Sequence, residues 1–278
     1  KSKRQPNLLP WKKITKTVLS SKNSVNIAII GKYVNLKDAY KSLDEALTHG
    51  GIKNNVKINL IRIESDYLKL SEVKKKLAGV NGILIPGRFG KRGTEGKIAA
   101  ISYARKNKIP FLGICFGMQM AVIEFARNVL KIKKASSTEI SKQCIPIVGL
   151  IDEWSKNGKV QKGTSKKLGG TMRLGLYPAR LKESSLIKKI YKSRNINERH
   201  RHRYEVNINY QENFEEKGMS FSGISPDNKL PEAIEIKKHP WFIAVQFHPE
   251  FKSRPLAPHP LFSTFIKATK NNSNKKND

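Results

Sequence analysis

The chain has 278 residues, 38% hydrophobic and 8% aromatic, which suits one large or two small domains with a sizeable core. No apolar run approaches the roughly 18 residues of a membrane span, and two cysteines cannot form a disulfide framework, so a soluble protein in a reducing, cytoplasmic setting is expected, with no membrane contact. Lys and Arg number 54 against 22 Asp and Glu, a net charge of +32, which excludes an acidic tail-like protein and raises nucleic acid as a partner.

The lysines are spread over nearly every helix and loop, from Lys12 and Lys13 to Lys237 and Lys238, with no aromatic-interleaved groove or zinc-finger spacing. A drift toward Lys and Asn at solvated positions explains that distribution more simply than a duplex-binding face. Salt-sensitive adhesion to polyanions is expected, and no specific nucleic acid.

Residues 1–24 hold Lys1, Lys3, Arg4, Lys12, Lys13 and Lys16 with no acidic residue, together with Pro6 and Pro10. They read as a basic linker or arm. No charged-then-apolar leader opens the chain, and a first residue of Lys1 suggests a fragment or processed product. From Val25 the pattern becomes regular. The apolar run Ile27-Ala28-Ile29-Ile30 predicts a strand ending at Gly31; Asp38 then caps a helix carrying Tyr40, Leu43 and Leu47, which Gly50-Gly51 stops. A strand with Val56, Ile58 and Leu60 follows, then a helix around 71–77, a buried-type strand Ile83-Leu84-Ile85 and a helix over about 95–107. Next come strand Phe111-Leu112, a Gly-rich turn and a helix over about 118–129. Strand and helix alternate as in βαβ units on a mostly parallel sheet, whose active groups gather at the carboxyl ends of the strands.

After Leu150 the rhythm changes. The polar stretch 152–167 predicts a mobile loop. Met172, Leu174 and Leu176 alternate as in a strand, as do Ile234 and Ile236, and Phe242-Ile243-Ala244-Val245 runs directly into Gln246-Phe247-His248-Pro249-Glu250. The Asn- and Lys-rich residues 270–278 read as a disordered tail.

Gly113-Ile114-Cys115-Phe116-Gly117, between a strand and a helix, is the thiol counterpart of the G-x-S-x-G nucleophile elbow. Small flanks permit the sharp turn that lifts one side chain above the sheet, and the following helix N-terminus favours negative charge and offers N–H groups to an oxyanion. Cys115 is therefore a nucleophile candidate, whereas Cys144 has neither feature and reads as inert. His248 and Glu250 also follow a strand end, and in an extended segment they share a face, so Glu250 can orient an imidazole that polarises the thiol.

These residues, with Met118-Gln119 and the strand order, resemble the class I (triad) glutamine amidotransferases. Segments Gly90–Lys97, Leu168–Gly175 and Arg199–Asn207 are similar to the CTP synthase branch of that family, and the similarity extends from about Val25 to Ala268. The resemblance implies an α/β fold with a mostly parallel central sheet flanked by helices, a flavodoxin-like three-layer arrangement with a smaller antiparallel addition, in one domain over 25–269. It implies hydrolysis of L-glutamine through a thioester on Cys115, with His248 as base and then acid and Glu250 as its orienter. Carried over in the same way, Gly87, Gln119, Glu139 and Arg201 hold glutamine, and Glu139 and Arg201 suit its ammonium and carboxylate. Ammonia then passes to a synthetase domain, upstream in the family and absent here, where ATP activates UTP for conversion to CTP in pyrimidine nucleotide biosynthesis. The domain itself needs no cofactor or metal; the complete enzyme needs ATP, Mg2+ and a GTP activator, for which Phe89 and Arg92 are the contacts implied, and the resemblance implies a homotetramer.

One position departs. The family's turn after the Ile83–Ile85 strand reads Pro-Gly-Gly-Phe-Gly, and here it is Pro86-Gly87-Arg88-Phe89-Gly90. The resemblance gives the backbone N–H groups of Arg88 and Phe116 to the oxyanion hole. If that turn requires φ > 0, a residue other than glycine costs on the order of 1–3 kcal/mol or moves the donor, and losing a donor costs roughly 10²–10³ in rate. The alternatives are thus an impaired or silent domain kept for contact with a synthetase, and a polyanion-binding module. A stand-alone γ-glutamyl hydrolase is disfavoured by the 168–175 and 199–207 segments.

Overall fold

Residues 6–34, 36–87, 90–150 and 172–275 are described by the structure, a computed structural model. In chain order the elements are α1 (Leu9–Ser20), β1 (Ser24–Gly31), α2 (Lys41–Asn54), β2 (Lys57–Glu64), α3 (Val73–Lys76), β3 (Gly82–Ile85), α4 (Thr94–Lys106), β4 (Phe111–Ile114) and α5 (Phe116–Asn128). Then follow β5 (Ala135–Ser137), β6 (Ile145–Leu150), β7 (Arg173–Leu181), α6 (Leu186–Tyr191), β8 (Asn195–His202), β9 (Tyr204–Val206), α7 (Gln211–Glu216), β10 (Met219–Ile224), β11 (Pro231–Ile236), β12 (Phe242–Val245) and α8 (Pro260–Asn274).

Among these residues nine strands form one sheet in the order β2-β1-β3-β4-β12-β11-β10-β7-β8. The first five are mutually parallel, and the antiparallel addition continues the same sheet from β11 to β8. A second, small sheet holds β5, β6 and β9. Strands β3, β4 and β12 are buried at every residue, as helices on both faces of a parallel sheet require. One core lies under α4 and α5, with Ile83, Ile85, Phe111 and Phe125; the other lies under α2 and α8, with Ile27, Leu84, Leu112 and Phe262. This is the expected three-layer α/β class. Among the described residues no helix is long and apolar enough to cross a membrane.

Several expectations change. The segment read as a linker contains α1, a helix with no buried residue, with Leu9, Trp11 and Leu19 exposed. Asp38 caps nothing: it lies in a 3-10 turn before α2, and Tyr40 holds the N-cap position without a side-chain bond. Gly50-Gly51 does not stop α2, which runs on to Asn54 and ends on left-handed Asn55. The two glycines instead let α8 and the start of β2 approach closely, since a Cβ on either would lie within 2.9 Å of Phe262 O or Val56 O.

The tail read as disordered from Lys270 is helical to Asn274. The reason is that α8 buries Leu261, Phe262, Phe265 and Ile266 on one face, while Lys270 and Asn272 donate to Asn54 O and Asn81 O. In β7 the alternation is present but turned over. Leu174 and Leu176 face outward, and Arg173 is buried because Glu205 and Glu232 lie under the strand. The loop expected over 152–167 lies outside the described residues.

Candidate active site

Strand β4 ends at Ile114 and α5 begins at Phe116, so Cys115 occupies the turn alone, with φ 52° and ψ −104°. A non-glycine residue held there stores about 1–3 kcal/mol and persists only because its surroundings fix it. The elbow's glycines do that fixing: a Cβ on Gly117 would fall 2.2 Å from Ile85 O, and one on Gly113 would fall 2.7 Å from the Ala244 Cβ. At the first turn of α5, the Phe116 N–H has no intrahelical acceptor and remains available.

The base arrives through sheet register. β4 and β12 are adjacent and parallel with Ile114 opposite Val245, so the residues following each strand, Cys115 and Gln246, meet at the rim. Gln246 donates Nε2–H to Cys115 Sγ at 3.6 Å. His248, two residues on, packs beside the thiol: one methyl on Gly87 would touch both His248 Nε2 at 3.3 Å and Cys115 Cβ at 3.1 Å. His248 Nδ1 lies 2.7 Å from Glu250 Oε1. Burial pulls the imidazole down, but the neighbouring Cys115 and Glu250 outweigh it and raise its pKa to about 10. The geometry therefore favours an imidazolium between a sulfur and a carboxylate.

Gly87, Cys115, Arg201, His248 and Glu250 line one cavity of about 290 Å³, whose opposite wall is the start of α2 with Lys41. The Arg201 carbonyl lies 3.9 Å from Cys115 Sγ. Gln119 and Glu139 do not line the cavity. Gln119 is buried and donates to Tyr204 O at 2.9 Å and Gln246 Oε1 at 3.3 Å, reaching the nucleophile through Gln246. Glu139 accepts from the Gly90 N–H at 2.6 Å; burial pushes its carboxyl up, against the Gly90 bond and the charge of Lys32. Arg92 pairs with Asp66 beside a separate cleft of about 1000 Å³. Arg88 and Phe89 lie outside the described residues. Among the described residues no cluster of His, Cys, Asp or Glu is arranged to hold a metal. Cys144 donates to Ser141 O, apart from the cavity.

Sequence reasoning missed two groups. Gln246 was in view beside His248, and its signal is a polar residue immediately after a buried strand at the rim. Lys32, directly after β1, carries the same signal.

Residues 35–268 match the family Glutamine amidotransferase class-I. The chain belongs to that family. The amidotransferase is 72% identical to CTP synthase of Pelagibacter ubique over 271 residues, covering 98% of this chain and 50% of that one. It is 56% identical to CTP synthase of Rhizobium johnstonii, covering 95% of this chain and 49% of that one. The amidotransferase thus spans about half the length of the curated relatives it matches. Among solved structures, the glutaminase domain of Trypanosoma brucei CTPS with bound acivicin superposes with a TM-score of 0.79 at 37% identity, over 89% of this chain and 94% of that one.

Proposed function

We propose that this chain is a glutaminase that hydrolyses L-glutamine to glutamate and ammonia, and that it does so as part of a CTP synthase. The observation that carries this reading is a strained thiol beside a His–Glu pair in one cavity, on a chain of the amidotransferase family. Cys115 Sγ attacks the side-chain carbonyl carbon of glutamine, and the oxyanion is received by the backbone N–H of Phe116 and, by resemblance, of Arg88. The intermediate collapses as His248 gives its proton to the departing nitrogen, which leaves as ammonia and a thioester on Cys115. His248 then takes a proton from water, the hydroxyl adds to the thioester, and glutamate departs as the thiol is restored. Glu250 holds the imidazole through Nδ1 and stabilises its charged form.

Arg201 and Gly87 line the cavity and are assigned to the amino acid, Arg201 to its carboxylate. Gln119 holds the same position through Gln246. We assign the half of the relatives' length that this chain lacks to a synthetase domain. There ammonia displaces the ATP-activated oxygen of UTP, with Mg2+, and GTP acts as activator.

The test is ammonia release from L-glutamine by the protein and by Cys115→Ala. The expected loss is about 10⁴-fold or more, as when a nucleophile is removed from a triad. Turnover that survives Cys115→Ala, or wild-type protein that releases no ammonia in the presence of ATP, UTP and GTP, overturns the reading.

A further inference from the structure

Lys32 is an unusual lysine: only 6% exposed, it sits at the carboxyl end of β1. Taking an ammonium out of water costs several kcal/mol unless its surroundings compensate, so a buried lysine marks a position where the charge or its hydrogen bonds are used. Its backbone is fixed, because the Tyr40 hydroxyl donates to Lys32 O at 2.7 Å. Its ammonium donates to Gly90 O at 3.0 Å. The N–H of the same Gly90 donates to Glu139 Oε1 at 2.6 Å. One peptide position is thus held on both sides, its carbonyl by a cation from β1 and its amide by a carboxylate that follows β5.

The topology explains why these groups meet. β1 and β3 are adjacent and parallel with Ile29 opposite Leu84, so the register carried forward brings Lys32 level with Gly87. Gly87 packs against His248 and Cys115. Gly87 and Gly90 are separated by two residues, a reach of at most about 11 Å. Fixing Gly90 while Gly87 is pressed against the thiol and imidazole leaves the intervening backbone little freedom to swing.

We propose that Lys32 is a positioning residue, and that with Glu139 it clamps Gly90 and thereby aims the turn that receives the oxyanion. This rests on the glutaminase reading above and adds to it a residue outside the cavity. Lys32 acts on the rate of the chemical step rather than on glutamine binding, since the clamp touches a backbone donor's anchor and not the amino acid.

The experiment compares Lys32→Met and Lys32→Arg with wild type in the intact protein. Three readouts are taken: glutamine kinetics, thermal midpoint, and amide hydrogen exchange at Gly90. For Lys32→Met the expectation is a kcat lower by roughly tenfold or more, short of the roughly 10²–10³ lost with a whole oxyanion donor. KM stays within about threefold. The midpoint holds within about 3 °C, because a well-packed apolar replacement of a buried charge is commonly neutral or stabilising. Gly90 exchange quickens about tenfold, and Lys32→Arg restores most of the rate. A raised KM with kcat intact overturns the clamp by making Lys32 a substrate contact. A fallen midpoint without rescue by Arg overturns it in favour of a structural role. If wild type releases no ammonia, the glutaminase reading fails alone. Exchange at Gly90 then still decides the clamp: faster in Lys32→Met keeps it, unchanged sinks it.

Discussion

Opposed effects set the charge of His248. Burial disfavours the imidazolium, and the adjacent Cys115 and Glu250 favour it more strongly, raising the group to about 10 from an ordinary 6.5. A pKa raised on folding means that this interaction stabilises the fold fully below pH 6.5 and is lost as the pH climbs toward about 10. Glu250→Gln removes one of the raising partners. Its expected result is a His248 titration moved downward in pH, read from imidazole NMR signals, with kcat/KM lower by about 10²–10⁴. An unmoved titration would show that Glu250 does not hold the imidazole. At this scale the nucleophile and its partners were legible, because a thiol between glycines and a His-x-Glu after a strand each carry a reason for their residue types. Lys32 was not, being one of 54 cations; nothing in its immediate neighbours separates a buried ammonium from a solvated one.

At the scale of elements, Gly50 sets two magnitudes against each other. Alanine is the better helix former by about 1 kcal/mol, but its Cβ would stand 2.9 Å from Phe262 O and from Ile266 Cγ1, and overpacking of that kind costs about 1–3 kcal/mol. Gly50→Ala is therefore expected to destabilise by about 1 kcal/mol in urea unfolding; a gain in stability would mean that α8 gives way. The buried strands were readable as short apolar runs, since a parallel sheet covered on both faces leaves no polar alternation. The glycine pair was misread because a sequence cannot distinguish a glycine that ends a helix from one that admits a neighbour. α8 was readable in part: Leu261, Phe262, Phe265, Ile266 and Thr269 repeat with helical spacing, but the Asn and Lys residues beyond them masked how far the helix continues. The extent of the antiparallel half was hidden for another reason. β7 turns its leucines outward and buries Arg173, reversing the pattern by which a covered face is recognised.

Over the whole molecule, a surplus of positive surface charge encloses a small buried acidic core. Arg173 pairs with Glu205 at 3.1 Å and Glu232 at 2.8 Å, yet burial raises Glu205 to about 8 and Glu232 to about 6, Arg173 opposing the rise in each case. The folded protein therefore keeps a proton on Glu205 that the unfolded chain, with a value of 4.5, has already lost. The contribution of this group to stability is full below that value and disappears as the pH climbs to about 8. Thermal midpoints measured across this range are expected to fall more steeply with rising pH for wild type than for Glu205→Gln; parallel curves would mean that the carboxyl is ionised in the fold.

The pairing of β4 with β12 has a consequence for synthesis. Cys115 and Gln246 are neighbours in space but 131 positions apart in the chain, and at about 5–20 residues per second a ribosome needs on the order of ten seconds to travel between them. During that interval the nascent polypeptide exposes a thiol with no imidazole beside it. No glutamine can be spent by a half-made enzyme, and no ammonia escapes before the polypeptide that is to use it has been extended past its own proton carrier.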